Sequence, residues 1–562
     1  MNTGIRDAGA RKERLLALAA VTGLVLLLFA PRWILGRVCF PNDLYIHLNW
    51  TSFYVHRWLA GCWKPEWLPE VFNGLGAPVF AYYPPGYFAV TGLVQMLVRN
   101  TWLAMRLVEA GAIFTIGRMA WVYAANTGTD SRKADRLLWL AALCASPYGM
   151  AQMSLTGALP SFVSGVLVLY MLVRSEWVLR KGTARLDVPL AMAAGLIPWI
   201  HNLALMMGLV SLAGGLAAGA AAGRRQGVGS VILSVLTGVV LGSGHLLTAF
   251  AGSGAINMDN LVEILDWRSG FALPFFSTMD WFVFQWVIGG LLITGVAVLA
   301  GAWWGRVRRD PSLAYWLGAA AVPMVLATEL SWPVWAALPL LQHFQFPTRF
   351  FQPVSLAVLM GIATVLAEPG DDRGGRRRRG AARLFLLASL GLSLMLAVKT
   401  LRDGKPVPSR MESFLKATCG QWEYLPAGQP LGWAALPVIA PGMSLDLDGA
   451  RIDVQKPNPC GGLLADVKKD GDGPQRLPVL AHPRWRTWIN GKPSEWTMHP
   501  GSGLVQVAMS KGDHRVELNW HRDGTHWLSL AGLAVLCIGL PLAGWAHRRR
   551  SEAGQKGDSI HE

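Results

Sequence analysis

The chain opens on a basic segment that leads directly into an apolar one, Arg11-Lys-Glu-Arg-Leu-Leu-Ala-Leu-Ala-Ala-Val-Thr-Gly-Leu-Val-Leu-Leu-Leu-Phe29. The apolar run continues to about Gly36, and roughly 20 apolar residues in a helix cross the ~30 Å hydrocarbon core of a bilayer. The run is longer than the apolar core of a secretory signal peptide and lacks a cleavage site of small residues. We therefore predict an uncleaved first membrane helix with the N-terminus in the cytoplasm.

Apolar runs of similar length recur to the end of the 562-residue chain, in which 52% of residues are hydrophobic and 15% are charged. This composition is typical of a membrane protein and rare in a soluble one. The further predicted spans are residues 102–125, 136–154, 160–174, 187–201, 204–222, 228–250, 283–303, 313–330, 350–367, 383–400 and 527–545. Residues 83–99 are also apolar, but the charge pattern leaves room for only one crossing before the next loop. We place them in the outer interface; the alternative is a thirteenth span.

The net charge of +16 reflects membrane topology and not a nucleic-acid partner. Five short loops between predicted spans hold 18 Lys and Arg residues, whereas the four loops that alternate with them hold only Arg268 and Arg349. Because positive loops stay in the cytoplasm, we predict a protein of the bacterial inner membrane with both termini cytoplasmic. The basic run 373–379 is expected to contact anionic membrane lipids.

The predicted topology divides the chain into five parts. They are the N-terminus with the first helix (1–36), a first extracytoplasmic loop (37–101), a multi-span domain (102–400), an extracytoplasmic β-rich domain (401–525), and the last helix with a cytoplasmic tail (526–562). In the β-rich part, residues 503–509 and 514–520 alternate apolar and polar side chains, as strands do. Asn490-Gly491 is a strong hairpin-turn sequence. We predict a small β-sandwich there.

The cysteines are distributed in a way that fits this topology. Cys39 and Cys62 share the first loop, and Cys419 and Cys460 share the β-rich domain. Two disulfides, one within each pair, are expected in an oxidising compartment. The alternative is four free thiols, because the sequence does not give the Cα separation that a disulfide requires.

The first loop begins with the polar stretch Phe40-Pro-Asn-Asp-Leu-Tyr-Ile-His-Leu-Asn-Trp50, just outside the membrane. In a helix, Asp43 and His47 are four residues apart and share one face. The Asp43 carboxylate can take a proton from an attacking hydroxyl, or bind a divalent cation such as Mg²⁺ or Mn²⁺ together with His47. The alternative is that Asp43 only caps the helix that follows.

Other polar residues at the outer side are candidates for substrate binding. Arg349, which follows His343 at a membrane edge, can hold a phosphate; the alternative is that it snorkels to the interface. Asp259 and Glu263 lie on one acidic helical face that either guides a substrate or is only solvated. The remaining candidates are Arg57, Lys64, Glu66 and Tyr83 in the first loop, and His201 and Asn202 at an outer turn.

Several motifs in this order resemble two families of bacterial membrane proteins, the YfhO-like proteins and the family labelled pyruvoyl-tetrahydropterin-synthase-related. Both resemble the GT-C glycosyltransferase superfamily. The motifs are Asp43 after the first helix, Trp63-Lys-Pro65, Gly74-Leu-Gly-Ala-Pro78, Tyr82-Tyr-Pro-Pro-Gly86, Leu341-Gln-His-Phe-Gln-Phe-Pro-Thr-Arg349 and Pro483-Arg-Trp-Arg-Thr-Trp-Ile-Asn-Gly-Lys492. They cover the beginning, the late middle and the end of the chain.

The resemblance implies a GT-C-type fold and a glycosyltransferase. Such an enzyme takes a sugar from a polyprenyl-phosphate donor and passes it to an extracytoplasmic glycan, lipid or cell-wall acceptor. Asp43 matches the acidic residue near the acceptor hydroxyl. Some GT-C members have a second acidic residue two positions earlier, where this chain has Pro41. A role for Asp43 without a metal is therefore favoured.

Two other functions remain open from the sequence. A transporter or flippase of lipid-linked glycans would use the outer polar residues to line a path, although such proteins often contain internal repeats, which we do not find. A scaffold would bind cell-wall glycan through the tryptophans of the β-rich domain. We find neither a Walker loop nor a dinucleotide fingerprint, which argues against a nucleotide-driven reaction.

Overall fold

The computed structural model shows a mostly helical chain with a C-terminal region of β-sheet. It describes residues 19–39, 42–127, 133–258, 267–272, 283–305, 310–368, 372–407, 424–427, 439, 441–455 and 460–546. The helices are α1 Ala19–Trp33, α2 Asn42–Leu59, α3 Val79–Tyr82, α4 Gly86–Val98, α5 Thr101–Thr127, α6 Lys133–Cys144, α7 Pro147–Ala151, α8 Leu159–Lys181, α9 Val188–Ile200, α10 Asn202–Ala221, α11 Val228–Gly242, α12 Gly244–Gly252, α13 Val283–Gly305, α14 Pro311–Leu326, α15 Trp332–Ala337, α16 Pro339–Gln342, α17 Phe351–Leu366, α18 Arg373–Asp403 and α19 Gly524–Ala534. The predicted fold class, a multi-pass helical membrane protein with a C-terminal β-region, is confirmed.

Within the described ranges, fewer helices are long and apolar enough to span a membrane than the twelve or thirteen spans predicted. Within the described ranges, six helices are long and apolar enough, and eight if two bent pairs each count as one span. Of the other predicted spans, α6 and α9 are only 12 and 13 residues long. Helix α5 has 27 residues but contains Arg106, Glu109 and Arg118. These three helices therefore fall outside the six on length or on composition.

Helix α4, which covers most of the ambiguous segment 83–99, has 13 residues. At 1.5 Å per residue it is about 20 Å long, which is too short to cross a hydrocarbon core of ~30 Å. It packs instead against α2 and α5. This length favours the expected interfacial position over a thirteenth span.

The C-terminal strands form two antiparallel sheets. The strands of this region are β3 Ser444–Leu447, β4 Ala450–Val454, β5 Gly462–Lys469, β6 Gly473–Leu480, β7 Trp485–Ile489, β8 Lys492–Ser494, β9 Trp496–Met498, β10 Leu504–Met509 and β11 Gly512–Trp520. One sheet has the order β3-β4-β5-β11-β7-β8 and the other β6-β10-β9. Their buried side chains belong to one apolar core. We call residues 441–520 the β-region.

The predicted strands and hairpin of the β-region are confirmed. Strands β10 and β11 cover the two alternating runs, and β7 pairs with β8 so that Ile489 faces Lys492. The two residues between them, Asn490 and Gly491, have φ of 50° and 78°. Positive φ at both central residues is what a tight two-residue hairpin turn requires, and Asn-Gly tolerates it best.

The first loop packs against the β-region, although the whole bundle separates them in the sequence. Two short strands, β1 Arg37–Val38 and β2 Lys405–Pro406, pair antiparallel. The backbone N–H of Leu480 donates to the carbonyl of Leu75. The ring of Trp67 lies 4.6 Å from that of Trp485, centroid to centroid. Backbone and aromatic contacts therefore join these parts into one body.

Both predicted disulfide pairings are wrong. Cys62 is bonded to Cys460, 398 residues away, with Cα atoms 5.1 Å apart. Cys39 is a free, half-buried thiol beside Thr400, and Cys419 lies outside the described residues. Pairing by loop failed because the fold brings the first loop onto the β-region, and spatial proximity of Cα atoms decides which cysteines can join.

Candidate functional site

Asp43 lies in the first turn of α2, which begins at Asn42. A carboxylate there is favoured by the partial positive charge at a helix N-terminus. Its side chain is partly exposed, and within the described part of the chain it makes no direct ion pair or hydrogen bond. Asp43 therefore does not act as the capping residue, and its carboxylate is left available for a ligand.

The start of α2 is held by the turn that precedes α8. Here a π-helical turn, Gln152–Thr156, ends at Gly157 with φ of +71°. A Cβ on Gly157 would lie 2.8 Å from the backbone nitrogen of Leu44. The ring N–H of His47 at Nδ1 donates to the carbonyl of Gly157 over 3.0 Å. This turn thus sets the position of the helix end that carries Asp43.

Arg349 comes from the opposite part of the chain, in a 3₁₀ turn, Pro347–Phe350, before α17. Its Nη2 donates to Oε1 of Gln345 at 2.9 Å, and its guanidinium lies over the ring of Phe346. Burial raises the pKa of Asp43, and the nearby charge of Arg349 partly opposes that shift. The side chains of Asp43 and Arg349 are therefore close enough to interact electrostatically.

His201 and Asn202 lie beside this pair, at the turn between α9 and α10. Burial, together with the positive charge of Arg349, lowers the pKa of His201 to about 3. His201 Nδ1 and Asn202 Oδ1 are buried without a hydrogen-bond partner among the described residues. Buried polar atoms usually have partners, so both atoms are available to a bound molecule.

His47 is buried one turn after Asp43 and packs among Tyr83, Tyr87 and Phe88, with ring centroids 5.9 to 6.5 Å away. Burial lowers the pKa of His47 to about 4, although its hydrogen bond to Gly157 opposes the shift. It is therefore neutral near pH 7. Its observed role is to anchor α2, and Tyr83 belongs to the aromatic wall around it.

A divalent cation, the second of the two uses considered for Asp43 and His47, does not fit the observed ligand set well. Where the structure describes the chain, no three His, Cys, Asp or Glu side chains converge so that they could hold a metal ion. Asp43 offers one carboxylate, and His47 already uses Nδ1 for a carbonyl. Mg²⁺ and Mn²⁺ prefer several oxygen ligands. We therefore derive no chemistry from a metal here.

Lys64 and Glu66 belong to a second buried cluster, away from Asp43. Oε1 of Glu66 accepts from His526 Nδ1 at 2.8 Å and lies 3.2 Å from Lys64 Nζ. Oε2 accepts from Arg484 and from the indole N–H of Trp520, each at 3.0 Å. Burial raises the pKa of Glu66, but these partners outweigh it and hold the pKa well below its usual range. We call these five residues the Glu66 cluster.

The Glu66 cluster holds parts of the protein together and does not bind a substrate. Every hydrogen-bonding position of its carboxylate is occupied, so it offers nothing to a substrate. It joins the first loop to the β-region and to α19. The substrate-binding role expected for Lys64 and Glu66 is therefore not supported by their position.

The other predicted residues are dispersed. Arg57 forms an ion pair with Glu70 within the first loop. His343 follows α16, and its Nδ1 is buried without a partner in the described ranges. Asp259 and Glu263 lie outside the described residues. Among the predicted site residues that the structure describes, only Asp43, Arg349, His201 and Asn202, with His47 behind them, lie near one another.

Three functional candidates were missed in the sequence. Tyr148 lies close enough to Arg349 that its positive charge acts on the phenol. Tyr148, Gln152 and Gln352 line a small cavity next to the site. In the sequence these three residues stand out only as polar side chains among apolar ones near helix ends, and such residues are too common to indicate a site. Pro147, which starts a short helix after a span, was the only local cue.

Gly157→Ala should move Asp43 and lower activity by at least tenfold. A non-glycine residue with φ of +71° is strained by about 1 kcal/mol, and the new Cβ would overlap Leu44. Turnover of a reaction that depends on Asp43 should fall while the protein still folds. The measurement is the rate together with the melting temperature. Gly442→Ala, also at positive φ but with open space around it, is the control and should keep full activity.

Comparisons with known proteins give structural neighbours but no family. Neither models of protein families nor curated proteins match the chain. Among solved structures, the chain is similar to the arabinofuranosyltransferase AftD from mycobacteria, at 16% sequence identity and a TM-score of 0.44. The similarity covers 71% of this chain and 28% of that one, so this chain spans under a third of its neighbour's length.

Proposed function

We propose that this protein is a membrane glycosyltransferase that moves a sugar from a polyprenyl-phosphate donor to an acceptor hydroxyl outside the bacterial cytoplasmic membrane. One observation carries the proposal: the partly exposed carboxylate of Asp43 and the guanidinium of Arg349, distant in sequence, interact electrostatically beside buried polar atoms of His201 and Asn202 that have no partner among the described residues. A proton acceptor next to a phosphate-binding cation is what this transfer requires.

In the proposed transfer, one bond to the anomeric carbon forms and another breaks. The acceptor oxygen attacks the anomeric carbon of the donor sugar and forms a new carbon–oxygen bond. The bond between that carbon and the phosphate oxygen breaks, and its electron pair leaves with the polyprenyl phosphate. The proton of the acceptor hydroxyl passes to Asp43. Arg349 holds the negative charge that develops on the phosphate.

His47 and His201 are neutral, which leaves the positive charge to Arg349. Burial holds the pKa of His47 at about 4 and that of His201 at about 3, so both imidazoles are neutral at pH 7 and carry no positive charge into the site. His201 and Asn202 instead offer hydrogen bonds to the sugar or phosphate. Arg349 is then the main positive charge of the site.

Two observations support an extracytoplasmic location for the site. The Lys and Arg residues concentrate in the alternate loops, as the positive-inside rule requires of cytoplasmic ones. A disulfide joins Cys62 in the first loop to Cys460 in the β-region, and disulfides persist in oxidising compartments. The side that carries Asp43 is thus the one that meets a lipid-linked donor and an envelope acceptor.

The proposal is tested by sugar transfer with purified full-length protein in lipid vesicles. Labelled hexoses or pentoses on polyprenyl phosphate are supplied with bacterial envelope extract as acceptor, and label in the envelope glycan or lipid is measured. We expect transfer without added nucleotide. Label that crosses the vesicle membrane while still attached to its lipid carrier, with none on the acceptor, would instead identify a transporter.

Arg349→Gln should lower kcat about 100-fold, because one donor to a developing oxyanion contributes roughly 10²- to 10³-fold. Arg349→Lys should recover part of the rate, since it restores the charge but not the paired N–H groups of a guanidinium. The measurement is kcat at saturating donor. Arg451→Gln, on an exposed strand of the β-region, serves as control. Equal rates for Arg349→Gln and the wild type would remove Arg349 from the mechanism.

A further inference from the structure

A cavity of about 20 Å³ with both polar and apolar walls lies between α7, α8 and the start of α17, and its wall residue Tyr148 lies near Arg349. It is lined by Ser146, Tyr148, Gln152 and Gln352, together with apolar side chains of α5, α6 and α8. A volume above roughly 10–15 Å³ on this measure holds one water-sized group. The cavity therefore admits a hydroxyl group but not a whole sugar ring.

The cavity contains an acceptor that has no donor. Gln352 is 4% exposed, and its Nε2 donates to the carbonyl of Ser161. This bond fixes which end of the amide carries oxygen, so the usual ambiguity between O and N does not arise. Its Oε1 is buried and has no partner among the described residues. A buried carbonyl without a donor is destabilising, so the site favours a ligand with an O–H group.

The same cavity also offers donors. Oγ of Ser146 accepts from the backbone N–H of Gly149 at 3.2 Å, which leaves its own O–H to donate. Tyr148 brings a phenol to the wall between the cavity and Arg349. A hydroxyl is both donor and acceptor. The unpaired amide oxygen of Gln352 and the hydroxyls of Ser146 and Tyr148, all from residues that line this cavity, are therefore complementary to a hydroxyl group.

Two glycines keep the space open. A Cβ on Gly165 would lie 2.7 Å from Nε2 of Gln352, and one on Gly149 would lie 2.9 Å from Oγ of Ser146. A larger residue at either Gly149 or Gly165 would therefore fill part of the cavity. The space is therefore built by residue choice on two facing helices.

We propose that this cavity receives one hydroxyl of the donor sugar and that Gln352 determines which sugars the protein accepts. The inference rests on the proposed function, because it takes Arg349 to bind the donor phosphate. The sugar is covalently next to that phosphate, and Gln352 follows Arg349 by three residues at the start of α17. One hydroxyl of that sugar is then within reach of the cavity.

The test measures equilibrium binding without an acceptor, by full-length protein in detergent. The probes are farnesyl phosphate linked to glucose, mannose or galactose, and the 2-, 3-, 4- and 6-deoxy form of each. We expect the wild type to bind one deoxy form roughly 10- to 100-fold more weakly than its parent sugar. Gln352→Met, which keeps the side-chain volume but removes the amide, should bind that deoxy form and its parent equally.

A second variant guards against misfolding of Gln352→Met. Gly149→Ala narrows the cavity from the opposite wall without touching the bond between Gln352 and Ser161, and it should weaken the parent sugar more than the deoxy form. Gln455→Met, on the β-region, is the matched control and should behave as the wild type.

If the wild type binds every parent sugar and deoxy sugar with affinities that agree within threefold, or binds none of them, the proposal that the cavity receives a sugar hydroxyl is wrong. Equal weakening of every probe by Gln352→Met would show that the amide only holds a water molecule. Transfer to an acceptor is measured separately with the parent sugars. Its absence would refute the proposed function even if binding is selective, so the two failures are distinct.

Discussion

Asp43→Asn is expected to lower the rate of sugar transfer about 1000-fold, the largest effect that we predict for a single residue. A positioned general base contributes roughly 10²- to 10⁴-fold, and the amide cannot accept the proton. The change is nearly isosteric and removes a charge that burial disfavours, so the melting temperature should stay the same or rise. The measurement is kcat with saturating donor and acceptor, alongside thermal unfolding.

The pH dependence gives this prediction its sign. Asp43 acts as a base only when it is deprotonated, and burial raises its pKa while Arg349 partly opposes the shift. Activity should therefore fall as the pH drops through a value above the ordinary range of Asp. Arg349→Gln removes the opposing charge and should move this acidic limb to higher pH.

The matched control is Asp513→Asn on an exposed position of β11, which should keep wild-type kinetics. Transfer by Asp43→Asn at the wild-type rate would rule out Asp43 as the base. A loss of transfer accompanied by unfolding would contradict the expected stability of the variant.

Glu66→Gln is expected to destabilise the protein by about 3–5 kcal/mol, because it leaves the buried cations of Lys64 and Arg484 without their counter-charge. The carboxylate is 1% exposed and its two oxygens have four partners. The amide can satisfy only some of these donors. We expect the first loop to separate from the β-region at lower temperature, measured as a fall in melting temperature with the disulfide intact.

The pH dependence of stability follows from the same residue. Its folded pKa lies below the ordinary value of 4.5, so its contribution is complete above that pH and is lost progressively as the pH falls below it. The variant should therefore lack this acid-sensitive part of the unfolding curve. An acid-induced loss that is the same in wild type and variant would place its origin elsewhere.

Glu70→Gln is the control for this variant. Glu70 pairs with Arg57 on the same loop but is partly exposed, and exposed ion pairs contribute about 0–1 kcal/mol. A similar destabilisation from both changes would mean that burial of the Glu66 cluster is not the cause.

The sequence was most informative where local chemistry decides the structure. The turn at Asn490-Gly491 and the alternating strands β10 and β11 follow from positive φ and from period-two patterning, which are properties of adjacent residues. The shared face of Asp43 and His47, considered for the case that this segment is helical, likewise depends only on residues four positions apart. These features need no knowledge of distant parts of the chain.

Contacts between distant segments were beyond the sequence alone. Cys460 lies 398 residues from Cys62, and three of the partners of Glu66, namely Arg484, Trp520 and His526, lie 418 to 460 residues after it. Nothing local indicates that these residues will meet. The candidate site shows both situations. Charge patterning singled out Arg349, but the cavity beside it depends on how Gly149, Gly165 and Gln352 face one another.

The bond between Cys62 and Cys460 has a consequence for how the protein is made. At a synthesis rate of about 5–20 residues per second, the 398 residues between them take roughly 20 to 80 s to emerge. During that interval Cys62 waits as a thiol, with Cys39 as its nearest neighbour along the chain. The bond between Cys62 and Cys460 can therefore form only after all the intervening segments have been synthesised and have taken their places. An early disulfide between Cys62 and Cys39 would have to be broken before the correct bond could form.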